Sequence, residues 1–364
     1  MKSKILAGVS ALALLASAGA AMAAPPPVNN QSTVTQTSAN SVATVNQSTG
    51  TLDTSTVTQS GNKNKAGVTQ GGSKNTSTVT QAGANVPSGF SNELTVSQTG
   101  QKGSVTVNQN GDNTGTVTQT AASDSEILNL KQTGKSTATS TQSGSGETGN
   151  ITQTGNGHLA TLIQSGSGNL SNTTQSGGNN DIATTEQTGT NAVSDIIQVG
   201  SSNDANVKQS GDADSFVNQK GNGNKAVVTQ AGDAKSTIDQ IGFNNAATVD
   251  QQADADGAVS DIDQNGSGSK AKVTQKGAGD DSDIQQNGLN HDAKVAQAGD
   301  NTSTVNQSGF NQVADVDQTG DGNLSSVDQS LGRNKAKVVQ DGDDNTSSVV
   351  QTFVTLTGVA ANAD

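Results

Sequence analysis

The most regularly spaced polar side chains in this sequence are carboxamides. Twenty-nine glutamines recur about every eleven residues from Gln36 to Gln351, and 26 of them have Val, Ile or Leu two positions earlier. An amide carries two N–H donors and one acceptor oxygen, so amides at matched places on neighbouring strands can form a continuous hydrogen-bond ladder. The spacing therefore predicts association through hydrogen bonds.

Catalytic and metal-binding chemistry has little support. The two histidines are His158 and His291, and His291 stands where the repeat usually has Asn, which favours a structural place over a ligand or a base. The chain has no cysteine, so disulfides, a thiol nucleophile and thiolate metal ligands are excluded. No Ser-His-Asp arrangement recurs in the repeats. We expect no enzyme activity, no metal site and no cofactor.

Two other solenoid functions are weaker alternatives. Gly-Asp turns are typical of calcium-binding rolls, but those rolls repeat every nine residues, and the turn at 72–75 contains no Asp. Thr-Val-Thr triplets such as 33–35 suggest the flat threonine rows of ice-binding solenoids. Lys272 and Asp315 interrupt that series, so exposed β-forming threonine explains it better.

The residues between successive glutamines indicate a strand. In the repeat that ends at Gln230, the residues Asn224, Ala226 and Val228 alternate with residues whose type varies from repeat to repeat. This period of two predicts a strand with one inward and one outward face. Glycine occupies the second place after the glutamine in 23 of 29 repeats, where a tight bend or a positive φ is needed. Each repeat is therefore a strand followed by an arc.

Two kinds of strand alternate along the chain, because the residue four places before the glutamine is Ser in one repeat and Ala in the next. The alternation runs through Ser171, Ala183, Ser194, Ala205, Ser215, Ala226, Ser236, Ala247, Ser260, Ala271, Ser282, Ala293, Ser303, Ala314, Ser325, Ala336 and Ser347. The structural unit is thus a rung of about 22 residues. We predict an all-β fold, a flattened two-sheet β-solenoid with cross-β stacking and about fourteen rungs of two strands each.

Composition and the first residues set the domain layout. Residues 1–23 have Lys2 and Lys4, an apolar run and a small-residue site ending at Ala23, as in a secretory signal peptide cleaved after Ala23. We assign 24–31 to a short Pro-rich spacer, 32–351 to the repeat array and 352–364 to a tail or final partial strand. The net charge of −13 and the single arginine, Arg333, make specific nucleic-acid binding improbable.

The pattern Gln-x-Gly-x-x-Asn-x-Ala-x-Val-x-Gln resembles the curlin repeat of secreted bacterial functional amyloids. It occurs intact at 59–70, 219–230 and 240–251. The resemblance implies a curli-type fibre subunit that is exported through an outer-membrane pore and assembles on a nucleator at the cell surface. It implies roles in biofilm matrix and cell adhesion, and leaves open whether the chain is the major subunit or the nucleator.

The expected partner is the chain itself, because the repeat stays regular to both ends of the array and no evident cap blocks the strand edges. Matrix polysaccharide is a further candidate partner, and a monomeric secreted solenoid adhesin is the alternative function. The expected amyloid-core ladder residues are Gln59, Asn64, Gln70, Gln209, Gln219, Asn224, Gln230, Gln240, Asn245, Gln251, Gln318, Gln329, Asn334, Gln340 and Gln351, and the expected arc glycines are Gly61, Gly221, Gly242 and Gly320.

Overall fold

In the residues that the structure describes, 27 β-strands are wound into a solenoid. The computed structural model describes residues 30–37, 39–83, 91–120 and 124–352, so the predicted signal peptide with Ala23, most of the predicted spacer and nearly all of the predicted tail lie outside the described residues. Within these ranges no helix is long and apolar enough to cross a membrane. The all-β solenoid predicted from the repeat is confirmed.

The strands follow one another at the spacing of the glutamines. They are β1 (Gln31–Gln36), β2 (Val42–Thr51), β3 (Thr54–Ser60), β4 (Lys65–Ser73), β5 (Thr76–Gly83), β6 (Glu93–Gln98), β7 (Ser104–Gly111), β8 (Thr114–Gln119), β9 (Ile127–Gln142), β10 (Thr148–Gln164), β11 (Leu170–Asn179), β12 (Ile182–Gln187), β13 (Val193–Ser201), β14 (Asp204–Ser210), β15 (Asp214–Asn222), β16 (Lys225–Ala231), β17 (Lys235–Phe243), β18 (Ala246–Gln251), β19 (Val259–Ser267), β20 (Lys270–Gln275), β21 (Asp281–Leu289), β22 (Asp292–Ala298), β23 (Thr302–Phe310), β24 (Val313–Thr319), β25 (Leu324–Ser330), β26 (Lys335–Asp341) and β27 (Thr346–Thr352).

Each strand pairs in parallel with the equivalent strand one rung away, so the strands form two stacks. The Ser stack contains β1, β3, β5, β7, the first halves of β9 and β10, and every odd-numbered strand from β11 to β27. The Ala stack contains β2, β4, β6, β8, the second halves of β9 and β10, and every even-numbered strand from β12 to β26. β9 and β10 run through both stacks because their arcs keep extended geometry.

The core lies between the stacks and is lined by the inward residues of every strand. In β16, Ala226, Val228 and Gln230 are buried while Lys225 and Thr229 are exposed, which is the alternation expected for a strand with one dry face. The apolar core divides into two clusters, one within 57–162 and one within 183–338. The division falls where Thr173 and Thr185 replace the usual aliphatic residue.

Packing in the first cluster compensates large residues with glycine. Leu94 stacks directly on Gly115, and Leu128 stacks on Gly149. A Cβ built on Gly115 would lie 2.9 Å from Leu94 Cδ1, and one on Gly149 would lie 3.0 Å from Leu128 Cδ1. The missing side chain on one rung therefore makes room for the leucine of the rung before it, which keeps the interior close-packed.

The arcs turn at glycines that lie directly above one another. Gly221 and Gly242 have φ of 117° and 118°, in the region that L-residues with side chains rarely adopt. A Cβ built on Gly221 would overlap the carbonyl oxygen of Gly242 one rung on. Gly61 and Gly320 have the same sign of φ, at 79° and 99°. Positive φ and close backbone stacking together account for glycine at this place.

Candidate functional site

The glutamines form two hydrogen-bonded ladders along the interior, one in each stack. In the Ala stack, Gln209 Nε2 donates to Gln230 Oε1 at 3.1 Å, and Gln230 Nε2 donates to Gln251 Oε1 at 2.9 Å. In the Ser stack, Gln219 Nε2 donates to Gln240 Oε1 at 2.8 Å. The Ser-stack ladder runs without a break from Gln36 to Gln351.

The Ala-stack ladder is equally complete and runs from Gln47 to Gln340. The structure therefore places every glutamine of the expected set in one of two columns. Gln59, Gln219, Gln240, Gln329 and Gln351 lie in the Ser stack, and Gln70, Gln209, Gln230, Gln251, Gln318 and Gln340 lie in the Ala stack.

Both ladders point in the same direction along the rod. Each amide nitrogen of the two ladders up to Gln318 and Gln329 donates to the rung that follows in sequence, and most also donate to a backbone carbonyl of the facing stack, as Gln230 Nε2 does to Asp214 O at 3.0 Å. A flipped amide would set its oxygen against that carbonyl, so the second bond fixes the orientation. The rod is thus polar, with amide acceptors facing one end and amide donors facing the other.

A second buried column lies at the start of each strand, six places before the glutamine. Asn224 Oδ1 accepts a hydrogen bond from the backbone N–H of Asn245 at 3.1 Å, and Asn224 Nδ2 donates to Lys220 O and Gly242 O. Asn64, Asn245 and Asn334 occupy the equivalent places directly before β4, β18 and β26. These amides bond mainly to backbone, so they secure arcs and do not bond to each other continuously.

In this asparagine column, several other residue types take the place of asparagine. Asp181 Oδ1 accepts from the N–H of Asn203 at 2.8 Å, and Ser269 Oγ accepts from the N–H of His291 at 3.3 Å. His158 Nδ1 lies 3.4 Å from the backbone nitrogen of Asp181 and 3.3 Å from its Oδ2, with both side chains fully buried. The contact between His158 and Asp181 was not predicted from the sequence. The available signal was their separation by one rung.

Two glutamates lie in the equivalent column of the Ser stack. Glu126 and Glu147 occupy adjacent rungs and both are buried. Burial raises the pKa of Glu147 to about 7, with the neighbouring Glu126 carboxylate adding to the rise and a hydrogen bond from Asn169 opposing it. Burial also lowers the pKa of His291, so the imidazole is favoured in its neutral form. These groups are embedded in the wall of the solenoid.

The outer faces carry mixed charge. The lysines of the Ala stack are interleaved with acids, and Lys65 contacts Glu93 at 2.5 Å while Lys294 lies 3.8 Å from Asp315. Burial within a row of neighbouring aspartates raises the pKa of Asp261, in the Ser stack, to about 6. Among the described residues no three His, Asp or Glu side chains are grouped so that they could hold a metal ion.

Both ends of the described rod present strands that are paired on one edge. Among the residues that the structure describes, β1 pairs only with β3 and β2 only with β4, while β26 pairs only with β24 and β27 only with β25. The inward residues of β27 are half-exposed, whereas the equivalent residues of β25 are buried. The ends therefore offer backbone groups and ladder amides to a further strand.

Two segments match a family model described as Curlin associated repeat, at residues 54–83 and 300–330. The first segment spans β3 to β5 and the second contains β23 to β25, so each covers one rung and the strand that follows. No curated protein matches the chain. Both matched segments contain strands of both glutamine ladders and arc glycines, such as Gly61 in the first and Gly320 in the second.

Proposed function

We propose that this chain, two segments of which match the curlin repeat, is a structural subunit of a secreted, extracellular amyloid fibre that grows end to end by strand stacking. The observation that carries the proposal is the pair of unbroken glutamine ladders, which reach the open strands at both ends of the rod. The expected ladder glutamines and asparagines act as the amyloid core. The arc glycines allow neighbouring rungs to approach closely.

The polarity of the ladders determines how copies join. Gln36 and Gln47 direct acceptor oxygens away from the first rungs, whereas Gln340 and Gln351 have no following amide to receive their donors among the described residues. Donors of one copy therefore meet acceptors of the next only in a head-to-tail arrangement. Head-to-tail contacts that stack copies along the axis of the rod do not close into a ring, so they generate a filament.

The cellular setting follows from the same proposal. The signal peptide at 1–23, cleaved after Ala23, would direct export, and the fibre would lie on the cell surface as biofilm matrix and an adhesive. The partners are other copies of the chain, a curli-type nucleator and an outer-membrane export pore, with matrix polysaccharide as a further ligand.

Fibre growth by the purified mature chain tests this function. At micromolar concentration we expect thioflavin-positive fibrils that seed fresh monomer and give a meridional spacing of about 4.7 to 4.8 Å in fibre diffraction. A chain that remains monomeric for days, with no fibrils by microscopy even after seeding, would contradict the proposal and favour the monomeric adhesin.

A further inference from the structure

The outer surfaces of the two stacks, here called the Ser face and the Ala face, carry charges on matching rungs. Each strand segment has three outward places, which stand five, three and one residues before its glutamine. At the middle place of the Ser face, Asp261 in β19 lies directly beside Asp283 in β21. At the middle place of the Ala face, Lys272 in β20 lies directly beside Lys294 in β22. Because like charges at paired places destabilise a sheet, each pair is unfavourable within one rod.

Most of these four charges have no opposite charge beside them in the chain. Lys294 lies 3.8 Å from Asp315. Among the residues that the structure describes, no salt bridge involves Asp261, Asp283 or Lys272. Asp261 and Lys272 are exposed, and Asp283 is half-buried. The two faces therefore present charges that a neighbouring molecule can neutralise.

The direction of the chain decides which places of the two faces share an edge of the rod. Each Ser strand ends at the arc where the next Ala strand begins, and Gln230 Nε2 at the end of β16 reaches Asp214 O at the start of β15. The last outward place of a Ser strand therefore shares an edge with the first outward place of an Ala strand. A second rod in the same orientation, stacked sheet on sheet about 10 Å away, brings these places opposite each other.

In that arrangement the charges of the two faces are complementary. At the middle places, Asp261 is opposite Lys272, and Asp283 is opposite Lys294. Three further pairs of opposite charge form at the edge places, namely Lys235 with Asp250, Asp263 with Lys270, and Asp328 with Lys335. Among the outward places of the described strands, no like charges are opposed, whether a Ser strand faces the Ala strand that follows it or the one that precedes it.

Sliding one rod along the other loses this match. Setting β21 against β24 would bring Asp283 opposite Asp315. Setting β21 against β18 would bring Asp281 opposite Asp250. Two Ser faces in contact would oppose aspartates to aspartates at β19 and β21. Because like charges across an interface cost free energy, the charges favour rods in axial register with unlike faces in contact.

We propose that the Ser face of one rod docks on the Ala face of a second copy of the chain, as a lateral interface between rods. This contact goes beyond end-to-end growth, and its setting in a fibre rests on the proposed function. Each rod uses a different face for each neighbour, so the contact is heterologous and stacks rods into ribbons. A single exposed ion pair contributes little, so the register is set by the whole group of pairs.

Charge reversal on one face at a time tests the interface in filaments of the mature chain. Lys270→Glu with Lys272→Glu reverses the Ala face, and Asp261→Lys with Asp263→Lys reverses the Ser face. At low salt we expect wild-type filaments to associate side by side, and either reversed pair to lower the number of filaments per ribbon about fivefold or more. Electron microscopy measures ribbon width, and ribbons of wild-type width in both variants would overturn the interface.

Mixing the two variants separates lost complementarity from lost folding. Filaments of each variant, grown separately and then mixed in equal amounts, have opposite charges on every pair of facing surfaces when they alternate. We expect the mixture to form ribbons as wide as those of wild type. Lys220→Glu with Lys276→Glu makes the same charge change just after two ladder glutamines, off both faces, and should leave the ribbons intact. No recovery in the mixture, or an equal loss in this control, would overturn the interface.

Growth along the axis and association between rods are measured separately. Wild-type filaments that grow but remain single at low salt would support the proposed function and overturn the interface. If no filaments form, sedimentation of the soluble rods tests the same contact. Association that either reversed pair abolishes and the mixture restores would support the interface and contradict the fibre. Soluble rods that do not associate at low salt would overturn the interface as well.

Discussion

The glutamine column and the asparagine column are both buried, yet they differ in which residue types can occupy them. Each of the 29 repeats has glutamine at the ladder place, whereas the place six residues earlier holds Asn, Asp, Glu, His, Gln, Ser, Gly or Ala. The difference follows from the bonds. A ladder residue such as Gln230 donates both to the next rung and to a carbonyl of the facing stack while it accepts from the previous rung, and the amide supplies two donors and an acceptor in one side chain.

The asparagine column has a simpler requirement. Its bond between rungs is accepted from the next backbone N–H, and the oxygens of Asn224, Asp181 and Ser269 each supply an acceptor for it. A carboxylate or hydroxyl can therefore replace the amide there. The residue type is therefore restricted where side chains bond to each other from rung to rung, and it varies where they bond to backbone.

Breaking a ladder in the middle should have the largest effect. Gln230→Ala removes the ladder bonds to Gln209 and Gln251 and the donor to the carbonyls of Asp214 and Ala234, which should lower the free energy of unfolding by about 2 to 6 kcal/mol. Guanidinium unfolding of the monomer measures this loss of stability, together with hydrogen exchange in the paired strands β14 and β18. Thr229→Ala, on the exposed side of the same strand, is the control, and an equal loss there would remove the distinction between faces.

Replacing a buried acid by an amide should change the pH dependence. With a folded pKa of about 7 against an ordinary value of 4.5, Glu147 contributes stability below about pH 4.5, and that contribution is lost as the pH rises through 7. Glu147→Gln should therefore stabilise the chain at pH 8 and reduce the loss between pH 5 and 8. Denaturation midpoints from pH 5 to 8 test this prediction, with Thr148→Ala as the control variant. Parallel pH profiles for wild type and Glu147→Gln would contradict it.

Removing an asparagine should cost less than removing a glutamine. Asn224→Ala deletes one acceptor for the N–H of Asn245 and two donor bonds to arc carbonyls, and Ala192 and Ala213 show that alanine is accommodated in the equivalent column of the Ser stack. We expect a loss of about 1 to 2 kcal/mol in the same unfolding assay. A loss equal to that of Gln230→Ala would show that the two columns are equivalent.

The smallest effect, with opposite sign, is expected at the inward serines. The Ser236 hydroxyl is buried without a hydrogen-bond partner, as are the equivalent hydroxyls of Ser215 and Ser260. Ser236→Ala should leave the unfolding free energy unchanged or raise it by up to about 1 kcal/mol, because an unpaired buried hydroxyl is unfavourable. The reverse change, Ala226→Ser, should lower it, and a destabilised Ser236→Ala would indicate a bond to an interior water.

Much of this architecture was predictable because its signals are local. The period of two fixes the inward face, the glutamine period fixes the strand length, and alternation of Ser215 with Ala226 separates the two stacks. What the sequence could not provide depends on contacts 22 residues apart. Ladder direction requires the carbonyls of the facing stack, and the fit of Leu94 over Gly115 requires knowledge of which rungs touch.

Seeded growth from the open end tests the central claim most directly. Gln340→Ala with Gln351→Ala removes the terminal donors of both ladders, whereas Lys335→Ala with Lys337→Ala changes outward residues of β26. With fluorescent monomer on unmodified seeds, ladder-driven stacking predicts elongation about tenfold or more slower for the glutamine pair and nearly unchanged for the lysine pair. Equal elongation rates for the two variants would contradict it.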